Sequence, residues 1–247
     1  MIFWGWKGMY FWYPGDTLQL GASVGYDERA VYLDSIYTVR EKRIGYLVLC
    51  NFNGDDFVQQ TQNTMLSFAE NEVDIIIVDL RYSTGGTVAN AASLASTFVA
   101  PGLYGTPFAA LLDAEYEPDT TLCYTQQQTT LHDKKLYIIT GAQTAGAAEL
   151  FTVAVNKSRP MYDVLTFGAK SKGESIVTGS IPSPYGFSIN PAMHYASLAD
   201  GALLPAVTPD FSIDELKQPV HIYPLGSEQE YLLYNLLYYS INSVLPE

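Results

Sequence analysis

The chain has 247 residues, enough for one large domain or for one domain with part of another. With 48% hydrophobic and 16% charged residues it can bury a sizeable core, and it lacks the composition of a disordered chain. Its formal net charge of −13 argues against a nucleic-acid partner, and no stretch approaches the ~18 uncharged apolar residues of a membrane span.

The opening Met1–Tyr13 is rich in aromatics, with Trp4, Trp6 and Trp12, and has no signal-peptide cleavage pattern. Pro14-Gly15-Asp16 marks a turn, while Thr17–Leu20 and Ala30–Val39 read as short strands. Residues 1–40 are too few for a core of their own. They form either the edge of the main domain at 41–247 or the tail of a second one. Ile44–Cys50 is a fully apolar strand of the kind found in a buried sheet. Phe57–Glu70 reads as a helix with Asp55 or Asp56 as its N-cap. Val73–Leu80, the strongest strand, runs through Arg81 to Gly85-Gly86 and into a small-residue helix at Val88–Val99.

Residues 101–135 form a long polar excursion, read as a functional loop or insertion. A second buried strand, Leu136–Thr140, passes through small residues into a helix at Ala147–Val155. Further strands are expected at Val164–Phe167, Ser175–Ile181 and Phe187–Ile189, with His194 near a hairpin and Pro209-Asp210 in a turn. Glu228–Val244 is an amphipathic helix presenting Leu232, Leu233, Leu236 and Leu237 on one side. The alternation of strands and helices argues for α/β layers with parallel pairing.

The motifs taken singly say little. The turn at Gly85-Gly86 fits either a plain strand-to-helix connection or a backbone anion site. Tyr137–Leu150 is a strand, a tight turn and a helix N-terminus, where free amides favour negative charge. Gly168-Ala-Lys-Ser lacks the glycines of a phosphate loop, so no nucleotide cofactor is implied. His132, His194 and His221 have no metal-ligand spacing; Cys50 and Cys123 form no metal or redox spacing and read either as a pair in an oxidising compartment or, the commoner case, as unpaired buried thiols. No H-E-x-x-H or S-x-x-K motif is present.

Read together and in order, several stretches resemble the carboxyl-terminal processing (tail-specific) serine proteases, serine peptidase family 41. They are Lys42-Arg-Ile44-Gly-Tyr-Leu, Asp79-Leu80-Arg81-x-x-x-Gly85-Gly86, Thr144-Ala145-x-Ala147-x-Glu149, Lys172-Gly173, Tyr185-Gly186-Phe187 and Pro209-Asp210. The resemblance implies a ClpP/crotonase-like layered core, with a mixed sheet and flanking helices, preceded by a peptide-binding PDZ-like module. Pro14–Leu20 resembles the closing strand of that module. It also implies a serine–lysine dyad, in which a lysine kept neutral by burial deprotonates the serine that attacks a peptide carbonyl.

Carried over by position, Lys172 matches the general base. Gly85, Gly86 and the amide of Ala147 match the groups that hold the oxyanion and substrate. The nucleophile position is Gly146, and the second serine of the motif is Ala148. A glutamine many members carry four residues after the lysine is Ile176. Thr144 points elsewhere on the turn, and Ser171 adjoins the lysine too closely to serve well. The resemblance thus implies a domain that acts on or binds exposed polypeptide C-termini, inactive as it stands, and exported, periplasmic or in the cell envelope. Loss of the serine is either natural, which the double change favours, or a deliberate substitution. A peptide-binding pseudoprotease is the alternative, and a crotonase-type acyl-CoA enzyme a weaker one.

Overall fold

The computed structural model describes residues 2–5, 8–11, 29–160, 162–182, 188–214 and 223–246. The elements begin with strands β1 (Ile2–Gly5), β2 (Gly8–Phe11), β3 (Val31–Val39) and β4 (Lys42–Leu49), then α1 (Phe57–Glu70), β5 (Ile75–Asp79) and α2 (Val88–Phe98). Strands β6 (Pro107–Leu112), β7 (Pro118–Cys123) and β8 (Lys135–Thr140) lead to α3 (Ala147–Ser158) and β9 (Val164–Gly168). The short strands β10 (Ile176–Thr178), β11 (Ile181–Pro182) and β12 (Ser188–Ile189) precede β13 (Ala192–Leu198), β14 (Phe211–Ser212) and α4 (Tyr231–Asn242).

β4, β5 and β8 are apolar along almost their whole length, which requires a sheet covered on both faces. They lie at its centre, in the order β14-β9-β8-β5-β4-β3, all parallel except β3. Successive side chains on a strand point to opposite faces. Leu47, Ile76, Val78, Leu136 and Ile138 therefore enter one core with Phe57, Met65 and Phe68 of α1, Leu94 and Phe98 of α2, and Leu150 and Phe151 of α3. Tyr46, Val48, Ile75, Ile77, Tyr137 and Ile139 enter the other, closed by Leu232, Leu233, Leu236 and Leu237 of α4. The expected apolar side of the C-terminal helix is the side that is buried.

One expectation needs correction. Residues 101–135 are not a loop: β6 and β7 form an antiparallel hairpin, extended through β13 to β10 as a second, four-stranded sheet. Phe108, Ala109, Ala196 and Leu198 fix this sheet to the helix-covered core. β7 is mostly exposed, and so it carries no apolar pattern. At the start of α1, Asp56 holds the N-cap position but makes no side-chain cap, its carboxylate accepting instead from the Gln60 side chain. The strand expected at Thr17–Leu20, the PDZ-like remnant at Pro14–Leu20, Tyr185-Gly186-Phe187 and His221 lie outside the described residues.

A buried charge cluster joins the sheet to α4. Tyr46 donates to Asp79 at 2.7 Å, and Arg81 donates from Nε to Asp79 at 2.9 and 3.1 Å. The same guanidinium forks onto Glu230 at 2.9 and 3.1 Å, and Glu230 in turn caps α4 by accepting from Leu232 and Leu233 N–H. Burial alone pushes the Glu230 carboxyl up, but Arg81 outweighs it and holds the group below its ordinary range. Burial likewise pushes Arg81 down, while Asp79 and Glu230 keep it fully charged.

Replacing Arg81 strands two buried carboxylates, so Arg81→Met should cost about 3–5 kcal/mol in urea unfolding. For Glu230 the folded value is depressed, so its contribution is complete above the unfolded value of about 4.3 and is lost as pH falls through the lower folded one. Unfolding followed from pH 6 to pH 3 should therefore show an acid loss of stability that Glu230→Gln reduces.

Candidate active site

Open α/β sheets gather their ligand crevices beyond the carboxyl ends of the strands. Here β5 ends at Asp79 and leads to Gly85-Gly86, while β8 ends at Thr140 and leads to Gly146, the N-cap of α3. Gly146 has φ +52 and ψ −114, a backbone state costly for any residue with a side chain. Gly85 and Gly86 also have positive φ, at +110 and +138. Gly86 is needed for close approach as well, because a Cβ there would meet the Phe52 carbonyl carbon at 2.5 Å. Phe52 N–H donates to Gly85 O at 2.8 Å, and Thr87 N–H donates to Phe52 O at 3.1 Å, which pins the turn. A Cβ at residue 146 would lie 3.8 Å from Gly85 Cα and 3.9 Å from Glu174 O, so there is room for a small side chain facing the glycine turn.

The carboxylate that organises these parts is Glu149, which has no solvent exposure. It accepts from Gly146 N–H at 2.9 Å, Gly173 N–H at 2.5 Å and Glu174 N–H at 2.8 Å, and from the Ser171 hydroxyl. The bond to Gly146 is half of a capping box; the glycine has no side chain to return the other half. Lys172 N–H donates to Thr144 O at 3.0 Å, a second tie between the same two segments.

The lysine departs from what the resemblance implies. Instead of being buried and neutral, the Lys172 side chain is 61% exposed and donates to Glu174 at 2.5 Å. The hydrogen bond and charge of Glu174 raise its pKa, with a smaller push from Glu149, so it stands as an ammonium. Solvent around the amine adds to this, since it leaves no dry pocket to favour the neutral form.

Two hydroxyls on the segments joined by Glu149 are held in buried hydrogen bonds. Thr144 is fully buried, donating to Leu80 O at 2.7 Å and accepting from Gly141 N–H at 2.8 Å. Ser171 is buried between Glu149 and Val207 N–H, from which it accepts at 2.7 Å. Gly85, Gly86, Gly146, Ala147 and Glu174 converge on one cleft of about 530 Å³, whose remaining wall includes Leu111, Leu122, Leu150 and Ile176. Lys172 is not among the lining residues.

The other candidates lie apart from this cleft. His194 pairs with Asp119 at 3.0 Å, and His132 with Thr130 at 2.7 Å. Cys50 and Cys123 are both free thiols. Among the described residues no group of three or more His, Cys, Asp and Glu could hold a metal. Residue-by-residue reading missed the roles of Glu149, Glu174 and Glu230. Only the first left a local signal, an acid three residues after an N-cap position.

A mixed sheet sandwiched by helices, with a glycine-lined cleft at its carboxyl edge, defines a layered α/β domain of the kind found in peptidases. The family model of peptidase family S41 matches residues 43–213, and the chain belongs to that family, whose members are serine peptidases. The crystal structure of a Bacteroides fragilis protein named as an S41 protease is 21% identical, with a TM-score of 0.78 over 90% of this chain and 60% of the other. The photosystem II D1 C-terminal processing protease is 18% identical, with a TM-score of 0.57 over 70% of this chain and 42% of its own. A Streptococcus agalactiae lipoprotein is also 18% identical, with a TM-score of 0.56 over 73% of this chain and 65% of its own. At these identities the likeness is one of fold, and the chain spans between 42% and 65% of the length of these relatives. No curated protein matches the chain. Among the described residues no helix is long and apolar enough to cross a membrane.

Glu149→Gln keeps the shape but turns an amide NH₂ toward backbone donors. It should cost about 2–3 kcal/mol of stability. Amide exchange at Gly146, Gly173 and Glu174 should speed up together, since one carboxylate protects all three.

Proposed function

We propose that this domain binds extended polypeptide segments in the cleft beside Gly146 and does not cleave them. The observation that carries the reading is a peptidase cleft with its glycine turn intact, opposite a residue that has no hydroxyl to acylate. The Thr144 and Ser171 hydroxyls are committed to buried hydrogen bonds and offer no replacement. On this reading Gly146 stands at the nucleophile position, Lys172 at the base position, and Gly85, Gly86 and Ala147 supply the backbone that would face a substrate carbonyl. Residual catalysis from an oxyanion site alone is about 10³–10⁴ over water, far below that of a working peptidase.

The apolar part of the wall favours ligands with an aliphatic side chain next to the bound carbonyl, and exposed C-termini are the substrate class we assign from the family resemblance. The short β10 edge beside the cleft supports capture of the ligand as an added strand. An exported or cell-envelope location belongs to the same reading, supported by the fold likeness to a lipoprotein. A crotonase-type acyl-CoA activity is not carried forward, because the family match is to a peptidase.

Calorimetric titration of the unmodified protein with apolar-tailed peptides should give micromolar affinity; a flat response across a varied peptide library would remove the binding function. Gly146→Ser places a side chain on a strained backbone, so it should lower stability by about 1–3 kcal/mol.

A further inference from the structure

The cleft wall beside residue 146 carries a carboxylate that the peptide-binding reading does not use. Glu174 lines the cleft, and its backbone carbonyl oxygen lies 3.9 Å from the point where a side chain at residue 146 would start. Its own side chain turns to the lysine and accepts from Lys172 Nζ at 2.5 Å. The lysine at the other end of that bond is largely in solvent.

We propose that Glu174 holds Lys172 on the outer wall of the cleft, so that the site carries a second lesion independent of the glycine at 146. This rests on reading residues 146 and 172 as the nucleophile and base positions. A general base must reach its hydroxyl within about 2.6–3.2 Å and arrive without its proton. A lysine bonded to a carboxylate fails on both counts, because the contact fixes its direction and favours the ammonium. Restoring a serine would therefore leave a nucleophile with no base.

Two carboxylates act on the ammonium, Glu174 in contact and Glu149 through its charge. Glu149 is saturated by three backbone amides and the Ser171 hydroxyl, and so is part of the scaffold. Glu174 takes part in that scaffold through its backbone N–H, and among the described residues its side chain is bonded to the lysine. The Lys172–Glu174 pair is also half in water, with side chains 61% and 37% exposed. Pairs of this kind contribute little to stability and are screened by salt. The lock is thus shallow, and removing it leaves the fold standing.

The test compares Gly146→Ser with the double variant Gly146→Ser/Glu174→Gln, using a fluorophosphonate probe. In the labelling step the serine oxygen bonds to phosphorus, fluoride leaves, and the lysine takes the hydroxyl proton. The double variant should label about two- to fivefold faster at neutral pH, with its pH midpoint moved down; equal rates and equal midpoints overturn the proposal. A second readout does not need the serine. Reductive ¹³C-methylation of the lysines and an NMR titration should place the Lys172 midpoint lower in Glu174→Gln than in the unmodified chain, and an unchanged midpoint also overturns the proposal. If neither serine variant labels, the reading of residue 146 fails, while the lysine titration still decides the role of Glu174.

Discussion

The geometry of the site depends on one buried carboxylate. Glu149 sits without solvent between the N-terminus of α3 and the segment at 171–174, where an unpaired charge would cost several kcal/mol. Three backbone amides and a hydroxyl from those two segments make it tolerable. The relation between residue 146 and Lys172 is therefore set by a residue that is neither of them. This explains how the turn at Gly146 keeps its strained backbone although the residue there has no side chain to hold it.

A second buried network works on the opposite side of the sheet. Asp79, at the end of β5, orients Arg81, which receives Glu230 from the cap of α4. The two networks begin just beyond or at the carboxyl ends of β5 and β8. In both, charge inside the protein is spent on placing backbone. The side chains of Lys172 and Glu174 belong to neither network and pair with each other.

The parts of the fold legible in the sequence are those with a burial pattern. β4, β5 and β8 are apolar on both faces, and α1 has its bounds written in its periodicity. The hairpin of β6 and β7 stayed hidden because β7 faces solvent and presents Asp119, Thr120 and Thr121 where an alternation would be sought. For the site, Gly85, Gly86, Gly146 and Ala147 were legible as a set through ordered motifs, and they do meet in one cleft. The exposure of Lys172 was not, since burial of a long side chain is decided by neighbours remote in sequence. Glu230 was out of reach for the same reason: its partner Arg81 lies 149 positions away.

That separation bears on how the chain reaches its final form. Arg81 belongs to the central strand region, which can assemble from contacts close in sequence, yet the carboxylate that completes its pairing arrives 149 residues later. Long-range contacts close late, since loop entropy must be overcome before they form. Until α4 docks, the sheet has one apolar face uncovered and a guanidinium only half neutralised. The C-terminal helix thus acts as a completion signal for the domain. A chain interrupted before residue 230 would hold its α1–α3 face and leave the other open to chaperones, proteases or aggregation.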